Sequence, residues 1–589
     1  MTLKPKMLIG WLRNKLTKNQ FILLSSVMVG MLVGLAAILL KSFVHFIYVS
    51  ATESNFTSFN YFYVCLPMIG ILLSVIITQK ILKGRLERGI AHILHSIAKK
   101  SSFIPKVQMY AQLLTSSVTV GLGGSAGLEA PMVITGAAFG VNFSRAFNLN
   151  YQDRTLLLAC GISAGIAAAF NAPIAGVLFA LEVLLIDISI SAFAPLIIAA
   201  ATGALVSKIV LKDDIILSFQ LQQPFNYHNV PFYLLLSLFT GLIAVYHSRV
   251  FIRLDGAFSK SDLGKYSKAA IGGILLGGLV LVFPSLFGEG YQSIKTLSLL
   301  HPEELFHRGV LQPFQDNEWI VLFFVGAVVL IKPVAVAITI GSGGNGGNFA
   351  PSLFVGAYAG FFIAKFLNLL GLTNLPIANF TIVGMAGILS GLYHAPLTAI
   401  FLIAEITGGY TLMIPLMIVS SISYAISKHF EPFSMDNRRL AATGNIFTHD
   451  RDHNILTTIR TTNLVETDFQ FVLPTDSLKI LVDKIAKSRR NIFPVVDQEK
   501  NLLGVIFLDD VREIIFKHEL YDTVNVVELM RKPPAIISSD EDMDSVMRKF
   551  DETGAWNLPV LENGHYIGFL TKSSVLSNYR TKLKSTSIG

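Results

Sequence analysis

The stretch that decides the fold reads Gly123-Gly124-Ser125-Ala126-Gly127-Leu128-Glu129-Ala130-Pro131. It is answered by Gly343-Gly344-Asn345-Gly346-Gly347-Asn348-Phe349-Ala350-Pro351. The register continues outward, with Gly136 and Gly140 meeting Gly356 and Gly360. A second pair follows: Gly161, Phe170-Asn171-Ala172-Pro173 and Glu182 match Gly384, Tyr393-His394-Ala395-Pro396 and Glu405. Two copies of a glycine-rich break, each running into a Pro-started apolar helix, indicate an internally repeated membrane protein. In such proteins paired broken helices near the midplane aim their N-termini at an anionic substrate.

Composition agrees. A chain of 589 residues is too long for one soluble core. Its 52% hydrophobic and 15% charged residues, with mean hydropathy +0.58, place most of it in a bilayer. Lys4, Lys6, Arg13, Lys15 and Lys18 precede the first long apolar run, 21–48, with no acid among them. That run is too long for a signal-peptide core. It reads as an uncleaved helix with a cytoplasmic N-terminus. The net charge of +8 fits basic cytoplasmic flanks, and no basic stripe interleaved with aromatics argues for nucleic acid. Cys65 and Cys160 both fall in apolar segments, which argues against a disulfide framework.

Apolar stretches fill residues 21–430 almost continuously, and several are shorter than the ~20 residues a spanning helix needs. Breaks at membrane depth survive only where protein or a wet cavity satisfies the backbone. Close helix packing is the other reading of the glycines. Charge density rises after about Phe433. Residues 464–582 then repeat a small α+β unit, with Leu478, Pro494 and Gly504 matching Met543, Pro559 and Gly568. The expected organisation is a basic segment (1–20), a membrane domain (21–440), a linker (441–463) and two tail modules (464–520 and 521–582). With both termini cytoplasmic, the number of crossings is even.

The membrane repeat is a chemical site in its own right. Glycines before Pro131 and Pro351 let backbone approach a ligand, and proline in the first turn sacrifices no hydrogen bond. Freed amides and about half a positive charge of helix dipole then meet an anion without a buried Lys or Arg. Such partial charges suit an ion that must also leave. Glu129 stands at the start of the first helix, where the second copy has Phe349. A carboxylate there can take the anion's position, and vacate it when protonated or swung aside. The alternative is a helix-start Glu that only favours the dipole. Glu182 and Glu405, matched in both copies, point to a structural task such as bonding loop amides. Lys332, His394 and Arg145 are assigned nothing beyond packing or snorkelling.

At these residues the chain resembles the CLC family of chloride channels and chloride/proton exchangers, whose ordered patterns are G-S-G-I-P, G-(R/K)-E-G-P and G-x-F-x-P. Gly127–Pro131 matches the second pattern and Gly347–Pro351 the third. Residues 170–179 and Gly288-Glu289-Gly290-Tyr291 also resemble family segments. The duplicated tail is similar to a pair of cystathionine-β-synthase-type (CBS) domains. The likeness covers nearly the whole chain. It implies an inverted-repeat, multi-pass helical domain with broken helices, in the cell membrane, carrying an α+β CBS tail. It implies a homodimer with one anion pathway per subunit, a transporter and not an enzyme. It implies Glu129 as the gating glutamate, and anion contacts from Gly127, Leu128, Glu129, Ala130, Asn348, Phe349 and Ala350. It requires no metal and no cofactor.

Three departures bear on function. Glu87-Arg88-Gly89-Ile90-Ala91 stands where G-S-G-I-P is expected, so Arg88, Gly89 and Ile90 mark an altered inner site. The tyrosine expected near the last membrane helix is replaced by Phe433-Ser434-Met435-Asp436. Val183 stands where family exchangers commonly carry the inner proton-relaying Glu, which favours passive gated chloride flow. A chloride/proton antiporter with another inner proton path is the close alternative. A CBS-bearing cation transporter would need converging membrane carboxylates. A membrane-anchored, nonconducting sensor would not need duplicated broken helices. In CBS-type pairs a Thr or Ser meets nucleotide phosphate and an Asp three residues on meets ribose. Here Asp510 and Thr571 lie in different copies, which leaves adenine-nucleotide sensing and a purely dimer-stabilising tail both open.

Overall fold

The computed structural model describes residues 15–52, 62–99, 102–184, 190–211, 223–306, 310–442, 456 and 459–586. Lys4, Lys6 and Arg13, and most of the expected linker, lie outside the described residues. The chain divides into two compact units, Met1–Ile446 and Phe447–Gly589.

The first unit is helical. It runs α1 Lys18–Thr52, α2 Phe62–Ile76, α3 Ala91–Lys99, α4 Gln108–Gly121, α5 Glu129–Ala146, α6 Tyr151–Phe170, α7 Pro173–Leu184 and α8 Ile190–Leu211. It continues α9 Val230–Lys260, α10 Lys265–Val282, α11 Tyr291–Ser298, α12 Glu318–Gly341, α13 Phe349–Leu369, α14 Ile377–Tyr393, α15 Pro396–Ile406, α16 Met413–Phe430 and α17 Met435–Ala442. Among the described residues eight helices are long and apolar enough to cross a membrane; α7, α14 and α15 are apolar but shorter. Leu39, Ile274 and Phe323 stay exposed on this unit, as lipid-facing side chains do.

The repeat is structural. α6 ends at Asn171 and α14 at His394, both in the left-handed region with φ 54° and 56°. The chain then turns into α7 and α15, which start on Pro173 and Pro396. α5 packs on α6 as α13 packs on α14. A Cβ on Gly136 would overlap the Gly161 carbonyl, and one on Gly356 the Gly384 carbonyl. The glycines therefore divide by task. Those inside the helices allow close packing, and those of 123–127 and 343–347 shape the breaks.

The second unit is the duplicated α+β tail. One copy holds α18 Leu478–Lys487, β1 Ile492–Val496, β2 Leu502–Phe507 and α19 Leu508–Val511. After α20 Val526–Leu529 and β3 Ile537–Ser538 comes the other: α21 Met543–Thr553, β4 Asn557–Glu562, β5 His565–Thr571 and α22 Lys572–Thr586. β1 and β2 pair antiparallel, as do β4 and β5, with Phe493 opposite Ile506 and Leu558 opposite Leu570. Phe469, Ile492 and Val505 share a core with Phe569, so the copies are welded through apolar contact.

Gly136→Val or Gly356→Val forces α5 off α6 or α13 off α14, at a cost of about 1–3 kcal/mol. Both should lower the melting temperature in detergent. Gly278→Val, whose added side chain meets open space, should not. An unchanged melting temperature for both packing variants would contradict the tight helix pairs.

Candidate functional site

The two breaks meet each other. Gly127 donates its amide to the Gly347 carbonyl at 2.9 Å, and Gly347 returns the bond at 2.8 Å. This antiparallel bridge faces the starts of α5 and α13 towards one another from opposite directions. A second exchange braces it. The Ser125 amide donates to Thr339 Oγ1 and the Asn345 amide to Thr119 Oγ1, each at 3.1 Å. Asn345 also donates through Nδ2 to Gln112 and Thr115 of α4. Neither helix start has a side-chain cap: Leu128 has no capping atom, and the Asn348 side chain is engaged with His247 instead. Their first amides are therefore available to a ligand.

Glu129, 4% exposed, reaches across this gap. Its Oε2 accepts the Ala350 amide at 3.3 Å, in the first turn of α13. Its Oε1 accepts the Tyr291 hydroxyl from the start of α11. The carboxylate of one copy thus fills the anion-attracting end of the other copy's helix. Gly127 makes room for it, because a Cβ there would collide with Glu129 Oε2 and Ala350. Phe349 lines the site, buried among Phe170, Phe179 and Tyr393 with ring centroids 5.5–5.8 Å away.

A cavity of about 1060 Å³ reaches Leu128 and Tyr291 and is also lined by Lys41 and Glu289. Lys41 Nζ donates to the Ala168 and Ala169 carbonyls at the end of α6. Lys332 is fully buried, donates to the Gly288 carbonyl at 3.4 Å and lies 4.5 Å above the Phe354 ring. Glu289 is within electrostatic range of Glu129, Lys41 and Lys332. Ionisable side chains therefore surround the two helix starts, while the groups that face the gap directly are backbone amides.

The residues expected from sequence separate on inspection. Leu128, Glu129, Ala130, Phe349 and Ala350 converge at the two helix starts. Gly127 corrects the expectation of an anion contact, because its amide is spent on the bridge. The Asn348 side chain lies 3.2 Å from His247 Nε2, which fixes the turn into α13. Arg88 turns aside and donates to the Gly343 carbonyl at 2.7 Å. Gly89, at φ +79°, and buried Ile90 follow it into α3. Val183 is buried on α7. Glu182 and Glu405 perform the structural task expected of them, and do so reciprocally. Glu182 accepts the Leu397 and Thr398 amides of α15, and Glu405 accepts the Ile174 and Ala175 amides of α7. Lys332 is neither snorkelling nor on a lipid face.

Several participants went unread in the sequence. Thr119 and Thr339 stand at the same repeat offset as the glycines, so their pairing was legible. Tyr393 is the counterpart of Phe170 and brings a hydroxyl beside Phe349. Asp436 Oδ2, in the first turn of α17, is shielded from solvent and has no hydrogen-bond partner among the described residues. In the tail, Asp510 pairs with Arg531 at 3.1 Å, and the Thr571 hydroxyl donates to Glu466 at 2.7 Å.

Comparison with known proteins agrees with this geometry. A family model described as voltage gated chloride channel matches residues 70–428, and a CBS domain model matches 461–517 and 526–580. A putative chloride channel protein ClcB-like from Ralstonia nicotianae is 29% identical over 364 residues, 61% of this chain and 80% of that protein. The voltage-gated ClC-type chloride channel ClcB of Escherichia coli is 30% identical over 330 residues, 54% of this chain and 71% of its own. Among solved structures, a slow cyanobacterial Cl-/H+ antiporter superposes with TM-score 0.61 at 20% identity, covering 75% of this chain and 99% of its own. A eukaryotic CLC transporter gives TM-score 0.61 at 17% identity, covering 94% and 97%. At these identities the structural likeness speaks for the fold.

The reciprocal capping is open to mutation. Glu182→Ala and Glu405→Ala each strip two helix-start amides of their acceptor, which costs about 0.5–2 kcal/mol. Thermal melting should register a similar loss for each. A loss for one alone would contradict the symmetry.

Proposed function

Since the chain belongs to the voltage-gated chloride channel family, whose description is one of anion transport, we propose that it is a gated chloride channel. The anion passes between the starts of α5 and α13, and Glu129 is the gate. The single observation that carries this reading is the bond from the Ala350 amide to the Glu129 carboxylate. A carboxylate and a chloride ion compete for the same uncapped helix end, so the site is closed while the carboxylate holds it. Protonation weakens that hold, because the dipole favours only the charged form. The amides and dipole then attract chloride with partial charges, strongly enough for entry and weakly enough for release.

Val183 supports passive flow, since the wall there offers no proton carrier. Proton-coupled exchange is a second reading with its own observation behind it. Asp436, with its unpartnered Oδ2, lies within electrostatic range of Tyr393, as does Glu129. Two copies in a homodimer would cover Ile174, Ile197, Leu397 and Met417, apolar and exposed on α7, α8, α15 and α16. The basic flank before α1 favours a cytoplasmic N-terminus, and an even number of crossings puts the tail on the same side. For the tail, the mutual engagement of Asp510 with Arg531 and of Thr571 with Glu466 favours a scaffold over an adenine-nucleotide sensor.

Liposomes that report chloride and proton movement together provide the test. Wild type should pass chloride faster as pH falls, with no uphill proton movement. Glu129→Gln should raise flux roughly 5–30-fold at neutral pH, the factor expected from losing about 1–2 kcal/mol of helix-end attraction, and should flatten its pH dependence. Uphill proton transport driven by a chloride gradient would overturn the channel reading. Chloride flux unaltered by Glu129→Gln would overturn the gate.

A further inference from the structure

Arg88 stands in a second site. It lines a cavity of about 370 Å³ together with Thr78, His92, Lys265, Lys268 and Gly343. Among the described residues no carboxylate lines this cavity. Each of its three permanent cations donates a hydrogen bond to an uncharged oxygen. Arg88 donates to the Gly343 carbonyl, Lys265 to Gln79 Oε1 at 3.0 Å and Lys268 to the Phe258 carbonyl at 2.6 Å. Like charges gathered round a cavity whose described lining holds no carboxylate repel one another, and an anion would relieve them. Thr78 is a separate pointer to a ligand. It is 6% exposed, and its hydroxyl oxygen is buried with no hydrogen-bond partner among the described residues. It belongs to the π-helical turn Ile77–Ile81, a distortion found mostly at functional positions. The cavity also lies at the start of the 18-residue helix α10, whose N-cap, Gly264, has no side chain to satisfy the first amides.

The chemistry differs from that of the chloride filter. Three full positive charges exceed what one monovalent halide neutralises, and the volume is about tenfold the ~30 Å³ share of one water molecule. The surroundings narrow the source. Ile81, Ile271 and Ile274 lie exposed on the π turn and on α10, as lipid-facing residues. Lys80, Lys83, Arg85 and Lys260 cluster near the same helix ends in sequence, the pattern of a cytoplasmic membrane edge. Basic pockets between membrane helices at such an edge suit phospholipid headgroups.

We propose that this cavity binds the phosphate group of an anionic phospholipid headgroup, held by Arg88, Lys265, Lys268 and the Thr78 hydroxyl. Free phosphate has the same chemistry and is the competing source. Arg88 ties the site to transport, because its bond to Gly343 opens the loop 343–351 that ends at the filter. The proposal stands whether or not Glu129 is the gate.

The experiment compares full-length wild type with Lys265→Gln/Lys268→Gln and, separately, with Thr78→Val. Each is purified in detergent with phosphatidylglycerol, and retained lipid is counted by native mass spectrometry. A parallel set in phosphatidylcholine alone is melted with and without inorganic phosphate. Wild type should retain phosphatidylglycerol, and the double lysine variant should retain it roughly tenfold less. Thr78→Val, which keeps shape and charge, should also retain less. Stabilisation by inorganic phosphate in wild type alone, with no difference in lipid retention, would keep the phosphate chemistry and overturn the lipid as its source. Equal retention and equal phosphate response in wild type and Thr78→Val would overturn the site, even if the double variant failed to fold.

Discussion

Everything at the filter depends on the pair of hydrogen bonds between Gly127 and Gly347. At membrane depth an unsatisfied peptide group costs several kcal/mol, and a broken helix exposes such groups. Here each break satisfies the other. The bridge needs close backbone approach, so neither position tolerates a side chain; a Cβ on Gly347 would press on Ala130. Once made, it fixes the starts of α5 and α13 face to face, and the Thr119–Asn345 and Thr339–Ser125 bonds hold the loops in register. Glu182 and Glu405 repeat the exchange at α15 and α7. Neither copy is complete without its partner, which gives a physical reason for the duplication within one chain.

The asymmetry at Glu129 acts inside that frame. In the proposed function the direct anion contacts come from amides, whose partial charges permit release. The ionisable side chains of Lys41, Lys332 and Glu289 lie around this shell. Lys332 is tied to the Gly288 carbonyl and the Phe354 ring, and Lys41 to the end of α6. Tyr291 links the two layers, because it lines the large cavity and donates its hydroxyl to Glu129. A charge at any of these positions shifts how firmly the carboxylate holds its place without itself trapping an anion.

Much of this fold was legible in the sequence, because backbone demands leave compositional marks. A break needs glycine, a restarted helix favours proline, and a duplicated break doubles both. The tail strands were legible as short apolar runs between turn residues. Partnerships across the repeat were less so. That Glu182 caps α15, and Glu405 α7, is a property of the folded exchange, although the matched positions signalled a common task. Tyr291 and Glu129 lie far apart in the chain, and nothing local marks them as partners. Arg88 was misleading for a further reason. Alignment to a motif places its backbone, while a long side chain is free to bond to Gly343. For Lys332 the sequence left snorkelling and packing both open, and burial against a carbonyl and a ring decides for packing.

The central claim is that the Glu129 carboxylate and the anion occupy one position at the start of α13. Crystals of wild type and of Glu129→Gln grown in bromide, and measured at the bromine absorption edge, test it most directly. The account predicts a bromide peak within hydrogen-bonding distance of the Ala350 amide in Glu129→Gln. In wild type at neutral pH the carboxylate oxygen should hold that place. Bromide bound at the Ala350 amide beside an undisplaced Glu129 carboxylate, or no bromide there in either protein, would contradict it.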